Sequence, residues 1–141
     1  MMQKIRRFED LVAWQKSRAF AAVIHRMTLE PQFARDFKLR DQIWDAALSI
    51  SSNIAEGFER NRMREFHQFL SIAKSSCAEV RSQLYLAFDA GYIDEATLNA
   101  TLRQAEEVGR VIGGLRRSIE AEIAKSKNLR TQDSGLRTDV R

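Results

Sequence analysis

Between Gln42 and Phe58 the chain carries two rows of residues side by side at helical spacing, and this double row constrains the fold more than any other stretch. Ile43, Ala47, Ile50, Ile54 and Phe58 recur every three or four positions, while Gln42, Ala46, Ser49, Asn53 and Glu56 form a second row beside them. The first row is a core face. The second is small and amide-bearing rather than lysine-rich, so it too should be covered, with its polar groups paired inside the protein or at a subunit contact. A helix covered on two sides needs several helical neighbours. With one proline in 141 residues, the chain should be all-α.

The rest of the chain supplies those neighbours. After the basic lead of Lys4, Arg6 and Arg7, Asp10 can cap a first helix at about 10–28, with Leu11, Ala13, Trp14, Phe20, Ile24 and Met27 on its apolar face. Pro31 breaks the pattern, so 28–38 reads as a loop whose Phe33 and Phe37 tuck against the helices. The second helix covers about 39–59 and ends near Gly57, and Asn61 can cap the third. That third helix, about 62–90, carries Phe66, Leu70, Ala73, Cys77, Val80 and Leu84 at a mean spacing of 3.5, the period of a bundle seam. Gly91 stops it. Asp94 then caps a fourth helix with Leu98, Leu102, Ala105, Ile112 and Ile119 on the same period, ending near 124. Residues 1–124 should thus form an antiparallel, up-down-up-down four-helix bundle. Residues 125–141 turn polar and lose periodicity, which predicts a disordered tail.

Composition excludes several classes. Cys77 is the single cysteine, no run of apolar residues is long enough to span a membrane, and no apolar segment follows the basic start, so a cytoplasmic protein without disulfides is expected. A net charge of +4 permits an acidic partner without demanding one. Its distribution says more. An up-down bundle gathers Lys4, Arg6 and Arg7, then Arg60, Arg62 and Arg64, and finally Lys125, Lys127 and Arg130 at one end. Arg62 and Arg64 fall in a first helical turn, where the helix dipole favours acidic residues, which points to an anionic partner; solvated surface arginines are the plainer reading.

Chemistry-bearing constellations are sparse. His25 and His67 lack a glutamate three residues before them, so no metal and no cofactor is expected, and Cys77 in the seam reads as a small buried hydrophobe. Trp14, Trp44, Tyr85 and Tyr92 could stack on bases but fit packing better. The polar row, Gln42, Ser49, Asn53 and Glu56 with Ser76 and Glu79 facing it, reads as structural, fixing alignment or assembly. Placing the third and fourth predicted helices about Gly91 sets Ser75 and Ser76 opposite Gly109, with Gly113 one turn on, where small residues allow close approach.

Several stretches resemble the 23S rRNA-intervening-sequence protein family, also called the four-helix-bundle protein family. They are Phe8-Glu9-Asp10-Leu11-Val12-Ala13-Trp14-Gln15-Lys16, Leu39 with Gln42-Ile43, Ser49-Ile50, Ser52-Asn53-Ile54-Ala55-Glu56-Gly57-Phe58, Arg60, Glu65-Phe66, Phe69-Leu70, Ile72-Ala73, Ser76 and Glu79. The chain departs from the family's pattern at Ser51, Ser75 and Arg62, where proline, glycine and a serine or threonine cap are usual. The resemblance implies a four-helix bundle assembling into a ring-like homo-oligomer, a pentamer, with no enzyme activity. It also extends to the accessory protein of diversity-generating retroelements, which implies RNA or DNA and a reverse transcriptase as partners. The expected function is therefore a non-enzymatic, oligomeric bundle that binds nucleic acid through its basic end. The alternative is a protein-protein interaction scaffold.

Overall fold

A computed structural model of the chain describes the backbone of residues 4–140 and the side chains of residues 4–132. A 3-10 turn at Phe8–Asp10 leads into five helices: α1 Val12–Thr28, the short α2 Pro31–Arg35, α3 Phe37–Glu59, α4 Met63–Asp89 and α5 Glu95–Val140. The described residues hold no strand, so the chain is all-α.

The helix boundaries follow local chemistry, and some differ from expectation. Asp10 does not cap α1; it closes the 3-10 turn and lies 3.7 Å from Arg7 Nε, so α1 starts two residues later than the capping pattern predicts. The expected loop at 28–38 contains α2, because Pro31 occupies the helix start, where its fixed φ helps and its missing N–H costs nothing. Phe33 on α2 is fully buried and stacks on Tyr92 with ring centroids 5.2 Å apart, whereas Phe37 is 65% exposed and does not tuck in. Asp36 between them caps α3 by accepting a 3.0 Å hydrogen bond from the Leu39 N–H. Asn61 does not cap α4. It takes the left-handed conformation, φ 57°, that turns the chain, and Arg62 stands at the N-cap without a side-chain bond. Gly91 makes the next turn at φ 81°, and Asp94 accepts from the Thr97 N–H at 2.8 Å to begin α5.

Each long helix packs against two others, in the cyclic order α1, α3, α4, α5. In two of these pairs, α3–α4 and α4–α5, the contacts run in opposite numerical directions. Ser49 on α3 meets Ser76 on α4, and Gly57 further along α3 meets Phe66 and Phe69 earlier on α4. Cys77 meets Ala105 and His67 meets Glu120 between α4 and α5. The core they enclose is aliphatic, with Phe20, Ile24, Ile43, Ile50, Ile54, Leu70, Val80, Leu84 and Ile112 essentially sealed from solvent. Truncating such residues to alanine typically costs about 2–5 kcal/mol each, so this core dominates stability. The seam residues named from periodicity on α4 and α5 lie in this core, except Leu102, which is half-buried against it.

Beyond residue 124 the structure differs from the expected tail. α5 continues as helix to Val140, about 69 Å in all against about 40 Å for α4, so its last turns outreach the helices it packs on. Residues 125–132 lie mostly in the open, consistent with their polar composition, but lysine, arginine and glutamine are good helix formers and no proline interrupts them. None of the described helices is long and apolar enough to cross a membrane.

Candidate nucleic-acid interface

Of the nine cations expected at one end, the structure draws four around a single groove. Arg62, Arg64, Lys127 and Arg130 line a cleft of about 620 Å³ between the start of α4 and the far part of α5, with Met63, Ile123 and Ser126 completing it. Its one carboxylate among the described residues, Glu65, is already engaged, 3.7 Å from Arg60 and 3.6 Å from Arg62. Glu65 also supplies the acidic charge that the first turn of α4 seemed to lack, so the dipole conflict read from Arg62 and Arg64 is softened. Arg64, Lys127 and Arg130 have no carboxylate within 4 Å among the described residues.

The other five expected cations sit differently. Arg60 is held by Glu56 at 3.2 Å and lies over the Phe69 ring, 5.2 Å from its centroid, which makes it a packing residue as much as a free charge. Arg7 faces Glu9 and Asp10. Lys4 and Arg6 are exposed on either side of Ile5, which enters a neighbouring cleft with Phe58, Arg62 and Phe66, so the N-terminal lead does reach this end. Lys125 is exposed but outside the groove.

The polar row divides into two parts. Asn53 Nδ2 donates to the Ser49 carbonyl at 2.7 Å and to Ser49 Oγ at 2.9 Å, and Ser49 Oγ meets Ser76 Oγ at 2.8 Å across the α3–α4 contact. Gln42, Glu56 and Glu79 are exposed and lie outside this network. Glu79 instead accepts from Gln83 Nε2 at 3.3 Å. Gln83, 7% exposed, leaves its Oε1 without a partner, and the sequence reading missed it because a glutamine inside a seam gives no periodic signal. Ser76 was placed opposite Gly109; it faces α3 instead, because a rotation of about 100° per residue turns Cys77, its neighbour, towards α5.

A second basic groove, about 390 Å³, runs between the middles of α4 and α5. Lys74 and Arg81 rim it from α4, Arg110 and Arg117 from α5, and Glu106 is its one acid. The signal was present in the sequence as seven-residue spacings, Lys74 to Arg81 and Arg110 to Arg117, which hold charges on one helix face. Reading charge by the ends of helices hid it. Beneath this groove Cys77, 2% exposed, donates its thiol to the Ala105 carbonyl at 3.2 Å, and burial pushes its pKa up, so it is poorly suited to act as a nucleophile. No group of three or more potential metal-ligating side chains occurs among the described residues.

The model of the 23S rRNA-intervening sequence protein family matches residues 9–114, three quarters of the chain. The chain belongs to this family. The 23S rRNA-intervening sequence match covers α1 to α4 and the first part of α5, and stops short of Lys127 and Arg130, so the end groove joins a family segment to one outside it. A solved structure from Bacteroides thetaiotaomicron, described as a protein with unknown function from the S23 ribosomal protein family, has a similar fold: TM-score 0.68 at 23% identity, over 74% of this chain and 98% of that one. Among curated proteins none matches.

Proposed function

We propose that this chain is a non-enzymatic, cytoplasmic, oligomeric bundle that binds RNA or DNA through its basic end. One observation carries the reading: Arg62, Arg64, Lys127 and Arg130 converge on a groove in which the one carboxylate among the described residues, Glu65, is taken up by Arg60 and Arg62. Three of the four cations, Arg64, Lys127 and Arg130, have no acidic partner among the described residues, and cations that share a concave surface concentrate positive potential, which a phosphate backbone answers well. No arrangement of side chains there suits the reading of base edges, so binding should depend weakly on sequence.

In this reading the four long helices form an up-down-up-down bundle, supported by the cyclic packing order and the opposed numbering of contacts. Copies assemble through α3 and α4 into the ring-like pentamer that family resemblance implies, repeating the basic end around one face and adding weak contacts through multivalency. The exposed Ile72 and Leu86, fourteen residues apart on one face of α4, support such a contact. The same two residues favour the second reading, a scaffold for another protein such as a reverse transcriptase.

Fluorescence anisotropy with labelled RNA and DNA at rising salt tests the leading reading. The parent should bind with an affinity that falls steeply with salt, and the combined Arg62→Glu, Arg64→Glu, Lys127→Glu variant should lose binding while keeping its helical signal. Equal binding by parent and variant, or no binding by the parent at low salt, transfers the function to the scaffold reading.

A further inference from the structure

The glycines of α5 locate a second site. Close approach of α4 and α5 was the expected reason for Gly109 and Gly113, yet a β-carbon at Gly109 would meet nothing nearer than Cys77 Sγ at 3.9 Å, an ordinary contact. Packing there tolerates an alanine, which is the better helix former. What the two glycines and the small neighbours Ala78 and Ala105 do is keep the floor of the α4–α5 groove low. Over that floor two cations converge. A β-carbon on Gly113 would lie 3.3 Å from Lys74 Nζ and 3.5 Å from Arg117 Nη1, so the two charges can be no more than about 7 Å apart and repel each other.

No carboxylate lies within 4 Å of either of them among the described residues. Glu107 pairs with Lys16 and Glu120 hydrogen-bonds His67, and each also feels an arginine of the groove, Arg110 and Arg117 respectively; among the described residues that line the groove itself, Glu106 is the one acid against Lys74, Arg81, Arg110 and Arg117. Four cations against one acid over a low, small-residue floor leave excess positive charge that a bound anion would balance.

We propose that the α4–α5 groove is a second phosphate-binding site, and that one nucleic-acid strand runs from the end groove along α5 into it; this rests on the nucleic-acid reading above. From Arg130 to Arg110 the helix rises about 30 Å. Strand phosphates of a duplex repeat every ~3.4 Å along the axis, so the track spans about nine nucleotides. The hydrogen-bonded His67 and Glu120 lie between the two grooves, so the strand has to pass one carboxylate on its way.

Binding of labelled RNA by the full chain, measured as a function of salt, tests this with two variants. Gly113→Glu sets a carboxylate between Lys74 and Arg117, and Lys74→Gln with Arg117→Gln removes both charges without altering the backbone; Gly113→Ala is the control for the glycine itself. The proposal expects the Glu variant to bind at least about tenfold more weakly at low salt, by the loss of charge neutralisation, while the Ala control binds like the parent. The double Gln variant should reduce the slope of log affinity against log salt by about 1.5, the share of two phosphate contacts. Parent-like affinity and slope in the double Gln variant, together with loss of binding in the Arg62, Arg64, Lys127 variant, overturns the second site and leaves the end groove standing. A parent that binds no nucleic acid overturns both. Displacement of RNA by poly-glutamate as effectively as by unlabelled RNA overturns the assignment to a nucleic-acid strand in favour of an acidic protein.

Discussion

Gly57 and Asp36 are the two residues on which the local geometry turns most sharply. Gly57 reads in the sequence as a helix terminator, but α3 runs on to Glu59 and the glycine serves a different end. A β-carbon there would lie 2.5 Å from the Phe69 β-carbon, an atom fixed to the backbone of α4, so the helices could not remain at this distance. Gly57→Ala should therefore lower stability by about 1–3 kcal/mol, the usual cost of overpacking, despite alanine's better helix propensity; urea unfolding measures it. Asp36 accepts from the Leu39 N–H and from the Tyr92 hydroxyl, the latter at 2.8 Å, joining the start of α3 to the turn before α5. Those bonds hold its carboxyl below the usual range, the Leu39 bond first, and the same contact holds the Tyr92 phenol above its own. A lowered carboxylate pKa gives stability that is present above the usual carboxylate range and lost as pH falls through the folded value. A raised phenol pKa gives stability present below the usual phenol range and lost as pH rises through the folded value. The difference in Tm between parent and Tyr92→Phe should thus be flat across neutral pH and shrink at both extremes; a difference that varies through the neutral range would contradict the pairing. Asp36 was not foreseen as a cap, because a loop was expected around it.

At the scale of elements, periodicity located three of the long helices and the start of α5 to within a few residues, since buried rows such as Leu70, Ala73, Cys77, Val80 and Leu84 leave their spacing in the sequence. It did not find α2, whose five residues offer too little period, nor the extension of α5. Apolar period reports packing, and residues 125–132 are helical while lying mostly in the open, so they leave no apolar period to read. Two truncations separate the roles of this segment. Ending the chain after Arg130 should leave both Tm and nucleic-acid affinity unchanged. Ending it after Ala124 should change Tm little yet weaken binding, because Lys127 and Arg130 leave the groove. Calorimetry and anisotropy on the same samples check this, and a large fall in Tm on ending at Ala124 would make the segment part of the fold instead.

For the whole molecule, the sequence showed which end of the helices carries charge but not how that charge is turned about the helix axes. Linear position gives height along a helix at about 1.5 Å per residue, while the approach of α4 to α5 decides which arginines share a groove. The seven-residue spacing puts Arg110 and Arg117 on one helix face, but only the structure brings them into one groove with Lys74 and Arg81, and only it separates Asn53, Ser49 and Ser76 from Gln42, Glu56 and Glu79. Assembly is testable at this scale. Ile72→Asp with Leu86→Asp should leave the helices intact and shift the mass in light scattering from an oligomer towards the single chain, since desolvating two carboxylates in a subunit contact opposes association. A parent already monomeric at micromolar concentration would remove the ring from the functional reading.

The buried thiol of Cys77 gives the molecule a built-in clock. As the single cysteine in the chain, closed off between α4 and α5 and bonded to the Ala105 carbonyl, it can meet a disulfide reagent only when those helices part. The rate at which an aromatic disulfide consumes it under native conditions then counts openings of one seam rather than unfolding of the whole. A strand seated in the groove above would bridge the two helices and slow that clock, so the thiol reports occupancy of its neighbour without any label being added.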